Sequence, residues 1–200
     1  MRTRGGTSRP VVFLGRQDSP ILAHLASTER DLVSLGPSDP LSHEEITRLR
    51  PRFVVSHGYR VVLRADILDR LPDRVINLHI SMLPFNRGAD PVLWSVLEGT
   101  PLGVTIHYID VGIDTGDVIA QHPVQWSESD TFASLYDRCT EELAKLFREQ
   151  WPAILAGTCD RRPQNHPGTV HRVGDRQRVD HLLYNGWDTP IAPLLGASAH

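Results

Sequence analysis

Val75-Ile76-Asn77-Leu78-His79-Ile80 is an apolar run of six residues interrupted at its third and fifth positions by polar side chains. Side chains alternate along a strand, so Asn77 and His79 project to one face of a strand whose neighbours are suited to burial. Working back from it, Val11–Gly15, Asp31–Leu35 and Arg52–Ser56 read as three more strands. Helical stretches separate them: one from Pro20 through Ala26 with Ser19 as cap, one from Leu41 to Arg50, and one from Leu63 to Leu71. The second carries Ser42 with Glu45 three residues on, a capping-box arrangement. Working forward, Asp90–Glu98 reads as a helix with Pro91 in its first turn, and Val104–Ile109 and Val118–Gln121 as strands. Asp130 is expected to cap a long helix with Phe132, Leu135, Cys139, Leu143, Leu146 and Phe147 on one side, at the three- and four-residue spacings of a buried stripe. Pro152 is expected to kink or restart it.

Alternating strands and helices predict an α/β fold: a Rossmann-like, mostly parallel twisted sheet with helices on both faces and a short C-terminal extension. The expected organisation is a flexible leader over 1–9, a catalytic domain over 10–158 and an extension over 159–200. Within that extension Arg161–Thr169 reads as an irregular connection, Asp175–Leu183 as a short helix and Ile191–His200 as a poorly ordered tail.

The 200 residues, 40% of them apolar and 22% charged, suit one globular domain with a small appendage. A formal net charge of −3 provides no global basic field for nucleic acid. No apolar run approaches the roughly 20 residues that cross a bilayer, and no signal-peptide core is evident. Cys139 and Cys159 are spaced unlike a metal knuckle or redox pair, and Cys139 is expected as a buried thiol. The expected location is cytoplasmic.

Asp114 lies in the Gly- and Asp-rich loop Asp110–Asp117. In a parallel sheet that loop and the end of the Asn77–His79 strand converge at the carboxyl ends, where such folds place their sites. Between them Ser81–Pro91 (SMLPFNRGADP) is stiffened by prolines and loosened by Gly88, and reads as a pocket wall. Each residue alone has a plainer reading: a core histidine, a turn asparagine, a turn aspartate. Their joint placement is what points to chemistry.

Asn77-Leu78-His79-Ile80-Ser81-Met82-Leu83-Pro84 resembles the signature strand of the folate-dependent formyltransferases. That family includes glycinamide ribonucleotide transformylase, methionyl-tRNA formyltransferase and the sugar-nucleotide N-formyltransferases. Gly103-Val104-Thr105-Ile106-His107-Tyr108, continuing through Asp110 and Gly112 to Asp114-Thr115-Gly116-Asp117, resembles its second signature. Residues 50–125 carry the resemblance by motif; residues 9–50 and 126–157 carry it by element order.

The resemblance implies that Asn77, His79 and Asp114 are catalytic in direct transfer of a formyl group from 10-formyltetrahydrofolate to an amine. Asn77 would donate to the tetrahedral oxyanion, one such donor being worth roughly 3–4 kcal/mol. His79 would relay a proton, oriented by Asp114. It further implies a folate site formed by Tyr59, Arg60, Val61 and Val62 together with Asp110, Gly112, Ile113, Asp114 and Asp117. Arg60 reads equally as a surface salt-bridge partner, and His107 as a structural hydrogen bond beneath the Asp114 loop. No metal is expected.

The acceptor is harder to read. Gly15-Arg16-Gln17-Asp18-Ser19-Pro20 has one glycine and an aspartate where the purine-pathway enzymes hold a phosphate on a glycine-rich turn. The Val104–Asp117 segment resembles the tRNA branch, but that branch carries a basic channel whereas the net charge here is negative. Asn86-Arg87-Gly88-Ala89-Asp90-Pro91 resembles the wall of the sugar-nucleotide branch, with Asn86, Arg87 and Asp90 expected to bind substrate. His171-Arg172 and Gly186-Trp187-Asp188-Thr189-Pro190 resemble segments beside such cores. The expected acceptor is thus a small-molecule amine, foremost a nucleotide-linked amino sugar, with no nucleic acid or membrane partner and the tail as a candidate homodimer contact. A small amine of specialised metabolism, glycinamide ribonucleotide, and a 10-formyltetrahydrofolate hydrolase stay open as alternatives. A dinucleotide-binding module would need more glycines after the first strand than Gly15.

Overall fold

The computed structural model describes residues 9–196, and the chain divides into two compact units at Ile76 and Asn77. The main sheet has six strands in the order β2-β1-β3-β4-β6-β7, the mixed α/β arrangement expected.

In the first unit β1 (Val11–Gly15) is buried throughout and pairs in parallel with β2 (Leu32–Leu35) and β3 (Phe53–His57). Gly15 is required where β1 ends. Its φ is 134°, and a Cβ there would lie 1.9 Å from the His57 carbonyl oxygen. Helix α1 (Pro20–Thr28) starts at Ser19, whose Oγ accepts from the Ile21 amide. Helix α2 (His43–Leu49) opens with the expected capping box of Ser42 and Glu45. Helix α3 is only Ala65–Leu68, shorter than Leu63–Leu71. Arg64 provides no side-chain cap, and Arg70 and Leu71 close tighter turns on Ile67 and Leu68.

β4 (Val75–His79) leads into the second unit, where β5 (Arg87–Gly88) precedes helix α4 (Pro91–Glu98). Gly99 ends α4 in the left-handed conformation that glycine adopts freely. β6 (Gly103–Tyr108) and β7 (Val118–Pro123) are antiparallel, with a break in register between Ile106 and His107. Such irregularities re-aim side chains, and this one falls at a residue of the site.

Helix α5 (Phe132–Ala156) buries the expected stripe and extends it through Trp151 and Ile154. Two details depart from expectation. Thr131, not Asp130, is the cap; Asp130 instead accepts from the Ser127 amide and pairs with Arg138. Pro152 does not restart the helix, which continues to Ala156.

The C-terminal extension is tied down more firmly than its composition suggests. Arg162 exchanges two backbone hydrogen bonds with Val118, and β8 (Val170–His171) pairs in parallel with β5. Asp175–Leu183 forms two short 3-10 segments, Val173–Arg178 and Asp180–Leu182, in place of one helix. The expected loose tail is anchored: Ile191 is fully buried and its amide donates to Asp130, while the Gly196 amide donates to Val96. Residues 197–200, and the leader over 1–8, lie outside the described residues. Arg9 donates to the carbonyls of Arg50 and Pro51. No helix among the described residues is long and apolar enough to cross a membrane.

Candidate active site

Asn77, His79 and Asp114 meet in the second unit, and His107 joins them. The Asp114 carboxylate is the centre. Its Oδ1 accepts from Asn77 Nδ2 at 2.9 Å and faces His107 Nε2 at 3.4 Å. Its Oδ2 accepts from the Gly88 amide at 2.8 Å and faces His79 Nδ1 at 3.5 Å. Burial opposes charge on this group, but the two imidazoles and the Gly88 amide outweigh it and hold the carboxyl well below its usual range.

Ring orientation follows from what each nitrogen meets. His79 Nε2 lies 2.8 Å from the Asn86 carbonyl oxygen, which only accepts, so Nε2–H donates and Nδ1 is left for Asp114. His107 Nδ1 likewise donates to the Tyr108 carbonyl at 2.8 Å. Neutral His107 can therefore accept from Asn77 Nδ2, 3.3 Å away; protonated, it pairs with Asp114. Asp114 has a φ of 50°, a left-handed conformation that aspartate tolerates better than most residues. His107 was legible only as a structural residue. It is 1% exposed and in direct contact with the carboxylate.

The wall residues Asn86, Arg87 and Asp90 all have partners within the chain. Asn86 is fully buried, with its amide among the Ser95, Thr100 and Thr169 hydroxyls. With its nitrogen toward Glu98 and Thr169 and its oxygen toward Ser95 and Thr100, every polar atom of the amide has a complementary partner. Arg87 is spent on Gln164 and the Pro167 carbonyl. Asp90 is the residue before α4, at a φ of 49° and 4.0 Å from Arg176. A second, unforeseen layer lies behind them. Thr169 accepts from the Asn86 amide, and its own amide donates to the Pro84 carbonyl. His171 stacks on Trp94 at 3.9 Å. The segment that reads as irregular thus clamps the wall; only Gly168, whose φ of 62° sets it against the Pro84 carbonyl, hinted at close approach.

In the loop, Asp110 braces the turn by accepting from the Gly112 amide and the Thr115 hydroxyl. Asp117 pairs with Arg161. Val111 and Ile113 are left 74% and 42% exposed beside Asp114. In the first unit the Tyr59 hydroxyl donates to the Asp39 carbonyl and accepts from the Leu41 amide. The Arg60 amide donates to Pro37, Val61 is half-buried and Val62 is exposed. No group of three or more His, Cys, Asp or Glu among the described residues is placed to hold a metal ion.

The family model described as formyl transferase matches residues 14–150. The chain belongs to the formyl transferase family. A similar solved structure is the formyltransferase PseJ from Anoxybacillus kamchatkensis, in complex with UDP-4,6-dideoxy-4-formamido-L-AltNAc and tetrahydrofolate. It superposes with a TM-score of 0.84 at 40% identity, over 94% of this chain and 99% of that one. Among curated proteins, a methionyl-tRNA formyltransferase of Desulforamulus reducens is 33% identical over 178 residues, 87% of this chain and 55% of its own length. One of Agathobacter rectalis is 36% identical over 129 residues, 64% of this chain and 42% of its own. This formyl transferase chain spans about half the length of the curated relatives it matches.

Proposed function

We propose that the protein transfers the formyl group of 10-formyltetrahydrofolate directly to a primary amine, foremost that of a nucleotide-linked amino sugar. The observation that carries the reading is one buried, ionised carboxylate held between an amide donor and two imidazoles. Asn77 keeps one amide hydrogen on Asp114; the other, which here points to His107, is the one that an oxygen gaining negative charge would take in place of His107. His79 is held by Asn86 and Asp114 and moves the proton that the attacking amine loses to N10 of the folate, as the bond from N10 to the formyl carbon breaks. Asp114 stays charged and orients the ring.

The folate supplies an activated formyl carbon. Exposed Val111 and Ile113 are apolar surface that a flat heterocycle would cover. With Asp110 and Asp117 engaged inside the chain, polar recognition at Asp110, Gly112, Ile113, Asp114 and Asp117 falls to the main chain. Tyr59, Arg60, Val61 and Val62 are proposed as the other folate-binding segment.

The amino-sugar nucleotide is favoured by the likeness to PseJ, which is 40% identical and was solved with a formylated UDP-sugar. Methionyl-tRNA is the second reading, raised by the relative 33% identical over 178 residues and opposed by a net charge of −3. We place the enzyme in the cytoplasm, free of membrane. Tetrahydrofolate release from 10-formyltetrahydrofolate should be followed with UDP- and dTDP-amino sugars, methionyl-tRNA, glycinamide ribonucleotide and no amine. Release with an amino-sugar nucleotide alone is expected. Equal release without amine would make the protein a hydrolase and sink the transfer reading.

A further inference from the structure

We propose that Gln164, which lies beyond the family-matched residues, is a positioning residue for the Asp114 loop, and that Arg87 acts through Gln164 and not on the acceptor. The proposal rests on the formyl-transfer reading above, in which Asp114 orients His79.

The Gln164 amide uses its whole hydrogen-bonding capacity on three residues. Its Nε2 donates to the Asp114 carbonyl at 2.9 Å and the Gly116 carbonyl at 2.7 Å. Its Oε1 accepts from Arg87 Nε at 3.1 Å and Nη2 at 2.7 Å. Two backbone carbonyls that converge on one side of a turn repel each other unless a donor lies between them. Gln164 is that donor. It sits where the loop can least shift, because a Cβ on Gly116 would lie 1.9 Å from the Tyr108 carbonyl oxygen and Asp114 is already left-handed.

The connection also closes on itself. Arg87 grips Gln164, Gln164 holds the Asp114 main chain, and the Asp114 carboxylate accepts from Gly88, the residue after Arg87. The strand pair β5–β8 sets the position of that dipeptide, with the Arg87 amide on Thr169 and the Ala89 amide on His171. A displacement of Gln164 therefore moves the backbone and the carboxylate of Asp114 together. Arg87, with its guanidinium on Gln164 and Pro167, has its geometry fixed by the extension.

The substitutions that separate the alternatives are Gln164→Ala, Gln164→Glu, Arg87→Ala and the double Arg87→Ala/Gln164→Ala. Gln164→Glu keeps an acceptor for Arg87 but turns an oxygen toward two carbonyls. A residue needed only to hold Arg87 would be rescued by it. A residue that positions the loop would not. Three readouts are taken on each: hydrogen exchange of peptides covering residues 109–117, affinity for 5-formyltetrahydrofolate, and kcat and KM for each substrate. Circular dichroism and the melting midpoint confirm the fold.

The expected result is faster exchange in 109–117, weaker folate affinity and kcat lowered by roughly tenfold or more in Gln164→Ala and Gln164→Glu alike, the scale of a small misplacement of catalytic groups. Arg87→Ala should behave the same way with the acceptor KM unchanged, and the double variant should be no worse than the more damaged single one. Wild-type exchange and kcat in Gln164→Glu would overturn the positioning role. A rise in acceptor KM confined to Arg87→Ala, or additive losses in the double variant, would overturn the coupling. If the wild type releases no tetrahydrofolate with any amine, the formyl-transfer reading fails, while exchange in 109–117 still reports on Gln164.

Discussion

Asp114 is the residue on which the others depend, because two imidazoles, one amide and one backbone N–H share its two oxygens. Replacing it by alanine removes the acceptor of every one of them, and His79→Ala removes the proposed proton carrier. Each substitution should lower turnover at least about a hundredfold with the fold retained, as expected of acid–base groups. Near-wild-type turnover would deny them these roles. Since its neighbours hold the Asp114 carboxyl well below the usual range, a site-resolved NMR titration should show no inflection for it between about pH 8 and pH 4. An inflection in that window would mean that the imidazoles do not act on it as drawn. That Asn77, His79 and Asp114 come together was legible in the sequence because strand alternation and a Gly-rich loop are local patterns; the roles proposed for them come from the family resemblance. The environment of Asn86 was not legible, because its amide meets hydroxyls on Ser95, Thr100 and Thr169, up to 83 residues away.

At the level of elements, two close approaches show how the strands are set. β5 and β8 run so near each other that a Cβ on Gly88 would lie 2.1 Å from the His171 carbonyl oxygen, at a φ of 89°. Gly88→Ala should part the two short strands, weaken the amide bond to Asp114 and cut activity more than about tenfold, while the melting midpoint falls by a few degrees. Unchanged kinetics would show that β5 does not set the carboxylate. In the first unit His57 is buried, with Nδ1 2.8 Å from Ser19 Oγ at the start of α1. Burial first, and then the Arg16 charge, lower its pKa from 6.5 to about 4. The unfolded chain therefore binds the proton more readily. Stability should be complete above about pH 6.5 and should fall as the pH drops toward 4, by an amount on the order of 3 kcal/mol. Urea unfolding at several pH values should show that slope, and His57→Gln should flatten it. Helix α2 and the buried face of α5 were legible because capping boxes and three-four spacing are written in adjacent residues. β5 and β8 were not: two-residue strands carry no periodicity, and each is defined by a partner more than eighty residues away.

Over the whole chain, the polar, proline-rich extension is bonded to the loop and wall around the candidate site. Arg162 bonds to Val118, Gln164 to the Asp114 loop, Thr169 to Asn86 and Ile191 to Asp130. A chain ended after Asp160 should lose formyl transfer entirely and show faster exchange at residues 83–90 and 109–117; retained transfer would make the extension dispensable. The fold class was legible from the alternation of elements, but the docking of residues 161–196 was not, since it rests on backbone hydrogen bonds that composition does not encode. The central claim is that the cluster at Asp114 moves a formyl group from folate to an amine. It is tested most directly with isotopically labelled formyl on 10-formyltetrahydrofolate and a UDP-linked amino sugar, reading where the label goes by mass spectrometry. The wild type should place it on the sugar nitrogen, one label for each tetrahydrofolate released, and folded His79→Ala and Asp114→Ala should fail to do so. Label recovered as formate in water, or on the sugar at wild-type rates in those variants, would contradict the account.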